Sequence, residues 1–209
     1  MPSVPFEGEL LVRAQERHLH GEHLLTTFEY ISVMHSIVLA LGIARLLTGF
    51  ADLVHYWRRL NIRAFFLGWL TLVLSLHMGW WFGLWARFGG ITDIALSTYL
   101  LWFAVPAALY VASRLLVPEF RDGVVPDLKE RFEQVRVPFF CSLAVPMVMD
   151  LPGLLSGTAP PTVWLLPLLG ILAVSGAVFS SPRWHRLLLP LMAGVYLTFM
   201  VLTRSSLGA

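Results

Sequence analysis

Residues 28–50 read FEYISVMHSIVLALGIARLLTGF, and this stretch decides the fold. It is apolar over the roughly 20 residues that a helix needs to cross the hydrocarbon core of a bilayer. It nevertheless carries Glu29, His35 and Arg45. An ionisable side chain in hydrocarbon is costly, so each of the three needs an interface or a partner. Glu29 stands at one end of the stretch. Arg45 lies near the other, where it can snorkel to the interface or pair with Asp52 one heptad on. His35 lies roughly 10 Å below the nearer interface and requires a partner inside the protein.

The rest of the chain repeats the pattern. Of its 209 residues 57% are hydrophobic and 13% charged, and the mean hydropathy is +0.72. Soluble domains carry about 25% charged residues, so the chain has roughly half the charge that a water-facing surface requires. The apolar residues fall in blocks near 28–50, 64–86, 94–116, 137–156, 162–180 and 186–203. A membrane β-barrel would instead alternate apolar and polar residues in segments of about ten. The expected fold is all-α, a polytopic transmembrane bundle of about six spans, with tails at 1–27 and 204–209 and a lipid bilayer as its main partner.

Charge sets the expected orientation. The connections after spans one, three and five hold Arg58, Arg59, Arg63, Arg121, Lys129, Arg131, Arg136, Arg183 and Arg186, with Arg114 at the edge of span three. The opposite side holds only Arg13, Arg17, Arg87 and Arg204. The positive-inside rule then makes the richer side cytoplasmic and both termini extracytoplasmic. The pI near 9.0 reflects this bias; no basic patch interleaved with stacking aromatics points to nucleic acid. The N-terminal tail has no basic start followed by an apolar stretch and a small-residue cleavage site, so it does not read as a signal peptide. Within the cytoplasmic loop 119–136, Pro126 can open a helix and Leu128, Phe132 and Val135 recur at helical spacing, which suggests an amphipathic helix lying on the membrane surface.

The first span resembles a pattern in bacterial inner-membrane proteins: Phe28 to Val33 (FEYISV), Leu41 to Ile43 (LGI) and Leu46 to Gly49 (LLTG). The resemblance implies a bacterial inner-membrane address and brings no activity, substrate or cofactor.

The polar residues within the spans carry the functional expectations. By the topology above, Glu29, His35, His77 and Asp150 share the outer half of the bilayer. Glu29, Ser32 and Ser36 lie on one stripe of span one, and Asp150 sits between Pro146 and Pro152, as in the broken helices that hold cations in transporters. These four residues, Glu29, Ser32, Ser36 and Asp150, are the candidate ion or solute pathway. His35 and His77, at matching depth on neighbouring spans, are candidate axial ligands for haem. His18, His20 and His23, in HLHGEH, form a candidate Zn or Cu site. Cys141, the single cysteine, excludes an intrachain disulfide and reads as a small core residue.

Three function classes follow: a transporter or channel for protons, cations or a small solute; a non-catalytic subunit or scaffold of a larger membrane complex or homo-oligomer; and a haem or copper redox protein. No nucleotide-binding loop is present and no soluble catalytic domain fits between the spans, which argues against an enzyme. The orientation is checked by reporter fusions at Ala209. A periplasm-active reporter is expected to score and a cytoplasm-active one to stay silent.

Overall fold

A computed structural model describes residues 26–60, 63–119, 127–149, 151–157 and 161–207. These residues form α1 (Thr27–His55), α2 (Arg63–Phe88), α3 (Leu96–Leu116), α4 (Leu128–Val148), the short α5 (Leu151–Leu155), a 3₁₀ turn (Pro161–Trp164), α6 (Leu165–Val178) and α7 (Pro182–Leu207), with no strand among them. Among the described residues four segments are long and apolar enough to cross a membrane: Thr27–His55, Ala64–Trp85, Leu96–Leu116 and Pro182–Thr203. Large apolar side chains such as Ile37, Leu41 and Phe50 of α1, Ile171 and Val178 of α6, and Leu187 and Val201 of α7 face outward. Such a surface suits a multi-pass protein whose solvent is lipid, whereas in water it would drive aggregation.

The helices pack around α2. In its apolar window 44% of residues are buried, against 17–33% for the other three long apolar segments, so α2 is the interior helix. It packs against α1, α3 and α7, while α4 bridges α3 to α6 and α6 packs on α7. Small residues set the close approaches. A Cβ at Gly42 of α1 would overlap the His77 ring of α2, and one at Gly79 of α2 would overlap Tyr196 of α7. The Tyr196 hydroxyl then donates to the Ser75 carbonyl at 2.7 Å. Rings tie α2 to α4: Trp69 lies edge-on to Phe139 and Phe140, with centroids 5.5 and 5.2 Å away.

In α1 the buried residues are Ile31, His35, Leu39, Gly42, Leu46, Gly49 and Leu53. They follow one another in steps of four or three, a single packed seam on an otherwise outward-facing helix. The start of α1 is closed by a capping box. Thr26 Oγ1 accepts from Glu29 N at 3.2 Å, and the Glu29 carboxylate accepts from Thr26 N at 2.7 Å.

Three features bear on the expectations. Of residues 119–136 the structure describes 119 and 127–136, and the latter belong to a longer element: Asp127 caps a helix that runs unbroken from Leu128 through Pro138 to Val148. Its side chain accepts from Lys129 N and Glu130 N at 2.9 and 3.3 Å. Leu128, Phe132 and Val135 do share a face, but Phe132 packs against Phe65 and Phe66 of α2 and not against a membrane surface. The fourth and fifth expected spans overlap α4 and α6. α4 opens with a charged first half, and α6 is only 14 residues long, preceded by the 3₁₀ turn. Cys141 faces outward, not into the core.

Arg45 also differs from expectation. Its Nη2 donates to the Val117 and Pro118 carbonyls at 3.0 and 3.3 Å, at the C-terminus of α3. The last carbonyls of a helix lack intrahelical donors, and a cation there also meets the negative end of the helix dipole. Arg136 of α4 does the same for α6, donating to Gly176 and Phe179 carbonyls at 3.1 and 3.2 Å.

The close packing predicts opposite outcomes for two glycines. Gly42→Ala forces α1 away from the His77 ring, and overpacking of this kind costs about 1–3 kcal/mol. Gly194→Ala meets nothing within 4 Å and gains helix propensity of up to about 1 kcal/mol. Thermal unfolding in detergent is expected to show a lower midpoint for the first variant and an unchanged or higher one for the second.

Candidate functional site

Two completely buried histidines and a completely buried serine lie at the junction of α1, α2 and α3. His77 is completely buried. Its Nδ1 lies 2.8 Å from the Val73 carbonyl, which can only accept, so Nδ1 carries the proton. Nε2 then presents its lone pair toward α1 and α3, against Gly42 and 3.4 Å from Ser113 Oγ. Ser113 is itself fully buried and directs its hydroxyl to the Leu109 carbonyl at 3.0 Å. The serine has one proton for two acceptors, and the shorter contact takes the larger share. One imidazole thus touches a glycine of α1 and a hydroxyl of α3 from the interior helix.

His35 forms a second node, nearer the start of α1. It too is completely buried, and its Nδ1 donates to the Ile31 carbonyl at 2.9 Å. The ring sits among Phe88, Tyr99 and Phe103, with centroids 5.8, 6.1 and 5.8 Å away. Its Nε2 is buried without a hydrogen bond. The Tyr99 hydroxyl is likewise buried without a hydrogen bond.

The structure separates the two histidines. The His77 ring meets α1 at Gly42, two turns and about 10 Å beyond His35. On α3 the respective contacts, Phe103 and Ser113, lie about 15 Å apart along the helix. Neighbouring helices hold both residues, but not at one level. Two axial ligands must face one iron from opposite sides, and these rings, each closed in by its own side chains, do not. The pair does not fit a shared haem.

The other expected site residues take structural positions. Glu29 closes the cap at the start of α1. Ser32 donates to the Glu29 carbonyl at 2.9 Å, and Ser36 to that of Ser32. Asp150, and the His18, His20 and His23 cluster, lie outside the described residues. Among the described residues no group of three or more His, Cys, Asp or Glu side chains could hold a metal. Sequence reasoning missed Ser113 and Tyr99; a hydroxyl inside an apolar block was the available signal for each. It also missed His185, buried on α7, which lies parallel to Phe140 with centroids 5.8 Å apart and donates to the Gly176 carbonyl at 3.1 Å.

Comparison with protein-family models, with curated proteins and with solved structures finds no match to this chain. The likeness of the first span to bacterial inner-membrane proteins therefore gains no support from them.

The His77–Ser113 contact is tested by a double-mutant cycle on His77→Phe and Ser113→Ala. Interhelical hydrogen bonds in membranes couple by about 0.6 kcal/mol, up to roughly 1.7. Unfolding free energies of the two single variants and the double variant are expected to show a coupling in that range. Strictly additive losses would mean that the two side chains do not interact.

Proposed function

We propose that the chain is a non-catalytic helical subunit or scaffold of a larger membrane assembly, set in a bacterial inner membrane with both termini outside. One observation carries this reading: most described polar groups of the spans are spent on a neighbouring helix or on their own backbone. His77 sits at the seam of three helices with no exposure. The hydroxyls of Thr48, Thr71, Ser75, Ser142 and Thr198 each donate to the carbonyl four residues back, at 2.8–2.9 Å. Hydroxyls used in this way are satisfied within their own helix, which they tend to bend, and they offer no chain of exchangeable ligands. The Lys and Arg asymmetry between the two bundle ends supports the orientation.

Transport of protons, cations or a small solute is the second reading. What favours it is the pair of buried polar atoms without hydrogen bonds, His35 Nε2 and Tyr99 Oη, together with Asp150 in the sequence. A path for a solute needs such atoms, since each can exchange a partner during passage.

Flux separates the two. In proteoliposomes loaded with a pH-sensitive dye, the scaffold reading expects proton and cation leak no higher than in protein-free vesicles. It further expects the chain to migrate, after mild solubilisation of native membranes, in a species heavier than the purified protein. A flux that Asp150→Asn abolishes while the protein stays folded would establish transport instead.

A further inference from the structure

The C-terminus of α1 runs on into a cleft. Beyond His55 the chain turns through Tyr56 to Arg59 and is held by the buried Leu53 and Leu60. The turn encloses an open cleft of about 400 Å³ lined by Val54, His55, Tyr56, Trp57, Arg58 and Arg59. The lining holds two guanidinium groups and no carboxylate. Three carbonyls at this helix end already accept hydrogen bonds from the turn. Tyr56 N donates to Asp52 O at 2.9 Å, Trp57 N to Val54 O at 3.3 Å and Arg59 N to Tyr56 O at 2.8 Å.

Depth and surroundings specify the ligand. With 29 residues, α1 is roughly 43 Å long, well beyond the ~30 Å hydrocarbon core. Its end therefore reaches the headgroup layer, the level at which tryptophans such as Trp57 concentrate. Leading away from the cleft, Leu47, Phe50 and Val54 form one outward-facing apolar stripe on the same side of α1. A soluble anion would use the cationic cleft alone. An anionic phospholipid would use both parts, with its phosphate against Arg58 and Arg59 through charge-assisted bonds and an acyl chain along Val54, Phe50 and Leu47. We propose that this cleft binds the headgroup of an anionic phospholipid.

The test uses the full chain released from nanodiscs of mixed phosphatidylglycerol and phosphatidylcholine, with retained lipid counted by native mass spectrometry. The wild-type chain is expected to retain phosphatidylglycerol in preference to phosphatidylcholine. Arg58→Gln with Arg59→Gln, both exposed positions, should reduce that retention roughly tenfold or more, as two lost surface charges imply. Arg183→Gln with Arg186→Gln, outside the cleft, should leave it unchanged. Inorganic phosphate should not displace the lipid. The proposal is overturned by equal retention of the two lipids, by full retention in the Arg58/Arg59 variant, or by a matching loss in the Arg183/Arg186 variant. Displacement by phosphate alone would mark a soluble-anion site and overturn it too.

Discussion

Lipid tails are as apolar as leucine, so apolar side chains gain nothing by leaving lipid for protein, and a membrane bundle must be held by close packing and polar contacts. In this protein the seat of His77 is the contact on which the others depend. Gly42 lets α1 approach the interior helix until its backbone lies against the imidazole, and Ser113 brings α3 to the same ring. With α1 and α3 placed on one side of α2, Tyr196 and the small Gly79 fix α7 on another. Phe139 and Phe140 bring α4 to Trp69. A larger residue at Gly42 would not merely fill a gap; it would move the helix that carries His35, Arg45 and the lipid-facing stripe.

The second constraint is the backbone. Carbonyls left without donors at helix ends are expensive away from water. Two arginines answer it across helices, Arg45 at the end of α3 and Arg136 at the end of α6. Both ends lie on the cation-rich side, and Arg136 is one of the connecting-segment cations counted there, so part of that charge also closes a helix. His185 adds a third donor at Gly176, stacked on Phe140. Charge at this end is thus partly structural, and only the exposed remainder, Arg58 and Arg59 among it, is available to phosphate groups.

These uses account for why an intramembrane histidine or serine here is weak evidence of chemistry. His77 donates through Nδ1 to its own helix and is closed in at Nε2 by α1 and α3, which consumes both nitrogens. His35 keeps one nitrogen without a hydrogen bond, enclosed by aromatic rings. The two are alike in donating through Nδ1 to the carbonyl four residues back, and different in what remains available.

Composition and block length by themselves determined the solvent, the helical class and the three longest early segments, because transfer into lipid depends on summed side-chain polarity and not on partners. Helical spacing also revealed the shared face of Leu128, Phe132 and Val135. It could not reveal what that face meets, which is the aromatic end of α2. In water a helix marks its outer side with charge. In lipid both sides are apolar, so hydropathy does not say which residues face protein. The separation of His35 from His77, the reach of Arg45 to α3, the continuity of α4 through Pro138 and the outward turn of Cys141 were decided by the tertiary structure alone. Each depends on which helix stands beside which and at what height, and that is fixed by the fit of glycines, rings and hydroxyls across helices far apart in sequence.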